Sequence, residues 1–137
     1  MRAPGLLAWA ALCLAGCAAG KVAPPGPGPE PARAARDEAR ALMEQLKAPD
    51  GYLASLRLGA LEPEDPAVRC EEICTAAGQV CELAGRICGL ATENPDEGSI
   101  RELCQDAGPR CDHARVTAWR ACACEIPRPA SVPPYSG

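Results

Sequence analysis

The chain has 137 residues, ten of them Cys and none of them Phe, with 14 Lys+Arg against 18 Asp+Glu. That length holds one small domain plus tails and excludes a multidomain enzyme. A net charge of -4 and 3% aromatics exclude a nucleic-acid partner, which requires clustered cations or a base-stacking platform.

Arg2 opens a short positive segment, and Gly5 to Gly16 (GLLAWAALCLAG) is an apolar run ending at Cys17. A membrane-spanning helix needs about 20 apolar residues, so this run reads as the apolar core of a signal peptide and residues 1–16 as the cleaved leader. Cys13, inside this run, is a small hydrophobe that is discarded with it. Leu14-Ala15-Gly16-Cys17 resembles the lipobox of bacterial lipoproteins. The resemblance implies cleavage before Cys17, a diacylglycerol thioether on its sulfur and an acyl chain on the new amine. Several acyl chains together give stable anchoring to a lipid bilayer. The usual bacterial sorting pattern, with Ala18 after the cysteine, implies the outer membrane, the domain facing the periplasm or the cell surface.

Residues 17–31 (CAAGKVAPPGPGPEP) carry five Pro from Pro24 to Pro31 and read as a tether. A polyproline II chain rises about 3.1 Å per residue, so this segment can hold a domain ~40 Å from a membrane. Residues 32–61 read as an amphipathic helix and connector. Ala35, Ala39, Leu42 and Leu46 share one face with Met43 beside them, and Arg33–Asp37 and Arg40–Glu44 form i,i+4 pairs elsewhere. Ala48-Pro49-Asp50-Gly51 predicts the helix stop, and Tyr52, Leu53, Leu56, Leu58 and Leu61 predict a further short turn. This helix is expected to pack on the domain behind it; its competing reading is an apolar stripe for a partner helix.

Residues 66–124 hold the remaining eight cysteines. Asp65-Pro66 is a helix start, an N-cap acceptor followed by Pro at the first helical position. Cys74, Cys81 and Cys88 recur every seven residues, with Cys70 four before them. Seven residues turn a helix through about 700°, which keeps these sulfurs on one face. Ala77, Ala84 and Ala91 lie beside them, with Ile73, Val80 and Ile87 as the neighbouring apolar stripe. Asn94-Pro95-Asp96-Glu97 and Ser99-Ile100-Arg101-Glu102 are two capping-box candidates, which put a turn near residues 92–98. A second helix follows, with Ile100, Leu103, Cys104, Ala107, Cys111, Ala114 and Ala118 on one face. Gly108-Pro109 falls inside it, where Pro removes a hydrogen bond and kinks or breaks a helix. Residues 125–137, with four Pro and no periodicity, read as a disordered tail.

Folding the two helices back on each other pairs Cys88 with Cys104 and Cys81 with Cys111, about a midpoint at residue 96. Cys70 and Cys122 share that midpoint, and the intervals match separately, seven with seven and eleven with eleven. Disulfides need Cα atoms roughly 4.4–6.8 Å apart, closer than ordinary helix packing, and the interleaved alanines permit that approach. Cys124 lies two residues from Cys122, so the helix must end near Cys122 for both to reach the first helix. Two arrangements stay open: Cys70–Cys122 with Cys74–Cys124, or Cys70–Cys124 with Cys74–Cys122. The fold class is therefore all-α: a small disulfide-stapled antiparallel helical hairpin with an additional N-terminal helix, flanked by disordered Pro-rich segments. Between Pro66 and Cys124 only ten large apolar residues occur, Val116 and Trp119 among them, so the cysteines have a sufficient structural task. The C-x3-C-x6-C-x6-C helix, Asn-Pro-Asp turn and C-x6-C second helix resemble uncharacterised cysteine-rich lipoproteins of Gram-negative bacteria. That resemblance covers about 59 residues, supports the fold only, and carries no activity.

These features lead to a lipid-anchored cell-envelope protein with a structural or protein-interaction role, no catalysis and no cofactor, its partners the bilayer and an unknown envelope protein. Thiolate storage of Cu(I) or Zn(II) is the first alternative, with Cys70, Cys74, Cys122 and Cys124 as ligands. Dithiol–disulfide exchange is the second, although its usual Cys-x-x-Cys at a helix N-terminus is missing. His113 beside Cys111 reads as a surface residue rather than half of a nucleophilic pair, and Glu71 and Glu72 as helix N-terminal charges rather than a catalytic dyad.

Overall fold

The computed structural model describes residues 29–57 and 66–134, so the leader, Cys17, residues 17–28 of the tether, Leu58, Leu61 and Asp65 lie outside the described residues. Three helices make up the fold, α1 (Pro29–Arg57), α2 (Pro66–Glu93) and α3 (Gly98–Cys122). The described part is all-α, with α2 and α3 forming an antiparallel hairpin. Helix α1 lies across both, with Arg36 paired to Glu97 at the hairpin turn and Tyr52 bonded to Glu72 near the start of α2. It therefore runs antiparallel to α2 and parallel to α3.

The core forms where the three apolar faces meet. Leu42, Leu46 and Leu53 of α1 and Ile73, Val80 and Ile87 of α2 are the large side chains that fill it, all at most 2% exposed. Between α2 and α3 the layer is thin and made of Cys and Ala, with Ala77, Ala84, Ala107 and Ala118 fully buried. These small residues bring the two backbones close enough to bridge.

Three stretches run differently from the sequence expectation, for local reasons. Helix α1 starts at Pro29 rather than residue 32 and continues through Pro49 to Arg57. Pro29 and Pro31 sit in the first turn, where backbone N–H groups have no intrahelical partner to lose. Pro49 deprives only the carbonyl of Gln45, an exposed residue, of its helical bond. The turns beyond bury Leu53 and place Asp50 2.7 Å from Arg110 of α3, offsetting the roughly 3 kcal/mol that an interior proline costs. Gly108-Pro109 likewise leaves α3 unbroken.

The turn keeps its predicted place and changes its chemistry. Asn94 donates its side-chain amide to the Leu90 carbonyl at 2.9 Å, finishing α2 instead of starting α3. Glu97 takes the N-cap position with no side-chain cap bond, so neither predicted capping box forms.

The tail is the third departure. Of residues 125–137, expected to be disordered, 125–134 are laid along the hairpin, with Val132 3% exposed, and 135–137 lie outside the described residues. Arg115 donates to the Ile126 carbonyl at 2.7 Å, Arg128 pairs with Asp112, and Ser131 donates to the Gly85 carbonyl at 2.7 Å. Gly85 and Gly108 are the gaps that admit it: a Cβ on Gly85 would come within 2.8 Å of Pro129, and one on Gly108 would touch Val132 at 3.5 Å. Absence of periodicity indicates only that a segment is neither helix nor strand. It does not preclude docking.

Candidate functional site

The cysteines occupy one seam of the hairpin. Cys88–Cys104, Cys81–Cys111, Cys74–Cys124 and Cys70–Cys122 are joined, with Cα separations of 4.7, 4.5, 5.8 and 5.4 Å. The arrangement at the open end is thus the one that keeps the matched spacing. What makes it possible is Ala123, whose φ of 55° and ψ of 30° form a left-handed reversal immediately after α3. Its N–H bonds to the Trp119 carbonyl at 2.9 Å, and the chain turns Cys124 back toward Cys74. Burial divides the ladder. Cys81, Cys88, Cys104 and Cys111 are at most 7% exposed, whereas the four cysteines of the open end are half-buried.

This geometry bears on the sulfur chemistry considered above. Cys70, Cys74, Cys122 and Cys124 are joined in pairs, and a disulfide sulfur lacks the thiolate charge that holds Cu(I) or Zn(II). Cys122 and Cys124 bond to α2 rather than to each other, so no short-loop redox pair forms between them.

His113 is exposed on α3, while Cys111 points inward to Cys81. Glu71 and Glu72 are exposed, and Glu72 accepts a 2.9 Å hydrogen bond from the Tyr52 hydroxyl. That phenol titrates above its ordinary value, chiefly through desolvation and then through the bond to and charge of Glu72. The pair joins α1 to α2 and leaves Glu72 committed as an acceptor. Arg110 spans α3 and α1 in the same way, with its guanidinium held above its ordinary value first by the Asp106 bond and further by Asp50.

The exposed apolar surface lies at the opposite end of the bundle from the hairpin turn. Val116 and Trp119, counted from sequence among the core residues, are 46% and 56% exposed. They stand on the α3 face away from Cys111, Ala114 and Ala118, which are buried. A groove of about 460 Å³ opens beside them between the ends of all three helices, its lining including Leu56 of α1, Arg69 and Ile73 of α2, and His113, Val116 and Arg120 of α3. From sequence, Val116 and Trp119 count only among the ten large apolar residues of a small core, which leaves this surface unseen. The available signal was the spacing of His113, Val116 and Arg120, three and four residues apart on the face opposite the cysteines.

No known protein family matches the chain, nor does any curated protein or solved structure.

Proposed function

We propose that this chain is a lipid-anchored protein of the bacterial cell envelope whose disulfide-laddered bundle is a non-catalytic structural or protein-interaction module. The observation that carries the reading is the complete pairing of the eight cysteines of residues 66–124. Four paired bridges persist in an oxidising compartment and are reduced in a cytosol. Leu14 to Cys17 supports export by the lipoprotein route, and the Pro-rich segment after it supports display at a distance from the bilayer. Ala18 after the acylated Cys17 supports the outer membrane, with the bundle in the periplasm or at the surface.

Expression in a Gram-negative bacterium, followed by mass spectrometry of the membrane fraction, tests both halves. The expected product begins at Cys17, carries the mass of its acyl chains, and gains eight hydrogens on reduction. Cys17→Ser is expected to release the protein from the membrane with its bridges intact. A soluble wild-type product, or one with free thiols in the bundle, overturns the reading.

A further inference from the structure

The groove between the three helix ends has a charge character opposite to that of the chain. Leu56 and Val116 give it apolar walls above the buried Ile73, and among the described residues of its lining Arg69, His113 and Arg120 are the ionisable groups and none is a carboxylate. Most arginines of the bundle are engaged: Arg36, Arg86, Arg110, Arg115 and Arg128 all form ion pairs. Arg69 and Arg120 have no ion-pair or hydrogen-bond partner among the described residues. They belong to different helices, and the Cys70–Cys122 bridge beside them, with its Cα atoms 5.4 Å apart, fixes their backbones relative to each other. Two guanidinium groups on the lining of one groove, beside an apolar wall, suit carboxylates that flank an aliphatic side chain.

We propose that this groove docks an acidic, apolar peptide segment of another envelope protein. Carboxylates of the segment engage Arg69 and Arg120, and an intervening aliphatic side chain packs against Leu56 and Val116. Arginine and tryptophan are the residue types that concentrate binding energy at protein interfaces, and Trp119 stands next to Val116 on the flank of the groove. A peptide is favoured over the bilayer by position. Residues 1–28 join the bundle at Pro29, and the groove lies at the other end of α1, a 29-residue helix about 40 Å long. The proposal rests on reading the bundle as an interaction module and is independent of the lipid on Cys17.

The test uses the oxidised full-length chain with Trp9→Phe, which leaves Trp119 as its indole. Its fluorescence is titrated with a synthetic peptide alternating leucine and glutamate, and with a leucine–lysine peptide as control. Saturable binding of the first peptide alone is expected, weakened about tenfold or more by Arg69→Gln and by Arg120→Gln. Arg86→Gln, on the exposed Glu38 pair, is expected to leave affinity unchanged, and circular dichroism to be the same for all variants. Equal affinity in the groove variants overturns the proposal, as does binding to phosphatidylglycerol vesicles in place of the peptide. Peptide binding that appears only after Glu62, Glu64 and Asp65 are changed to Gln also overturns it, by making the chain's own connector the occupant. In every one of these cases the mass on Cys17 still reports separately on the anchored-module reading.

Discussion

Ala123 illustrates how one residue sets a covalent pairing. A continuous helix would carry Cys124 away from the face that holds Cys122, and only a reversal between them lets both reach α2. The left-handed conformation provides it, at a cost of about 1–2 kcal/mol for a residue with a Cβ. Glycine adopts the same conformation without that clash but loses more entropy on folding. Ala123→Gly is therefore expected to raise the stability of the oxidised protein by roughly 0.5–1 kcal/mol, read as a higher denaturation midpoint at unchanged helical circular dichroism. A lower midpoint would show that the Ala123 backbone is relaxed by contacts other than the bonds from the Ala123 and Cys124 N–H groups to the Trp119 and Ala118 carbonyls. Alanine was legible as a helix former and gave no sign of this role. The sequence required only that the helix stop near Cys122.

At the scale of elements, the seven-residue recurrence of cysteine made the hairpin readable, because it fixes one helix face and, through matched intervals, the register of two. Pro49 and Pro109 were harder to read, since a proline's effect depends on which carbonyl it orphans and whether water reaches that carbonyl. The groove was illegible for a different reason: Val116 and Trp119 look like core residues, and only the disposition of α1 shows that about half of each is left uncovered by the described residues. The tail was misjudged because docking depends on two gaps, Gly85 and Gly108, which a composition argument cannot see. Those gaps make a paired prediction. Both Gly78 and Gly85 lie inside α2, where Gly→Ala ordinarily stabilises by about 0.5–1 kcal/mol. A Cβ at Gly78 meets nothing within 4 Å, so Gly78→Ala is expected to gain that amount. At Gly85 the new methyl would strike Pro129 at 2.8 Å and displace the tail. Gly85→Ala is expected to show fast hydrogen exchange at the Val132 amide, which bonds to the Pro129 carbonyl at 3.0 Å, with α2 and α3 amides still protected. Protection retained at Val132 would mean that the tail can slide around the methyl.

For the whole molecule, the question is whether sulfur or apolar burial decides stability. Helix α1 gives the core more large aliphatic side chains than the hairpin has alone, but the α2–α3 interface is mainly Cys and Ala, which bury little area per residue. Each rung constrains the unfolded chain according to the ring it closes. Cys81–Cys111 and Cys88–Cys104 enclose about sixteen residues between them, a ring in the range of about 3 kcal/mol per bridge. At the open end the two rungs lie four residues apart on α2 and two apart on the other strand, so each is partly redundant and contributes about 2 kcal/mol. Together the four contribute roughly 10 kcal/mol, comparable to the entire net stability of about 5–15 kcal/mol typical of a domain. Burial imposes an order on their loss, because reductant reaches the half-buried open end before Cys81, Cys88, Cys104 and Cys111. Graded reduction followed by alkylation and mass mapping is expected to label Cys70, Cys74, Cys122 and Cys124 first, with helical circular dichroism largely kept. The inner four are expected to become labelled together with the loss of helix and of protease resistance. Helicity that survives labelling of all eight would mean that the aliphatic side chains of α1 and α2 suffice, and that the rungs only lock a bundle already stable without them.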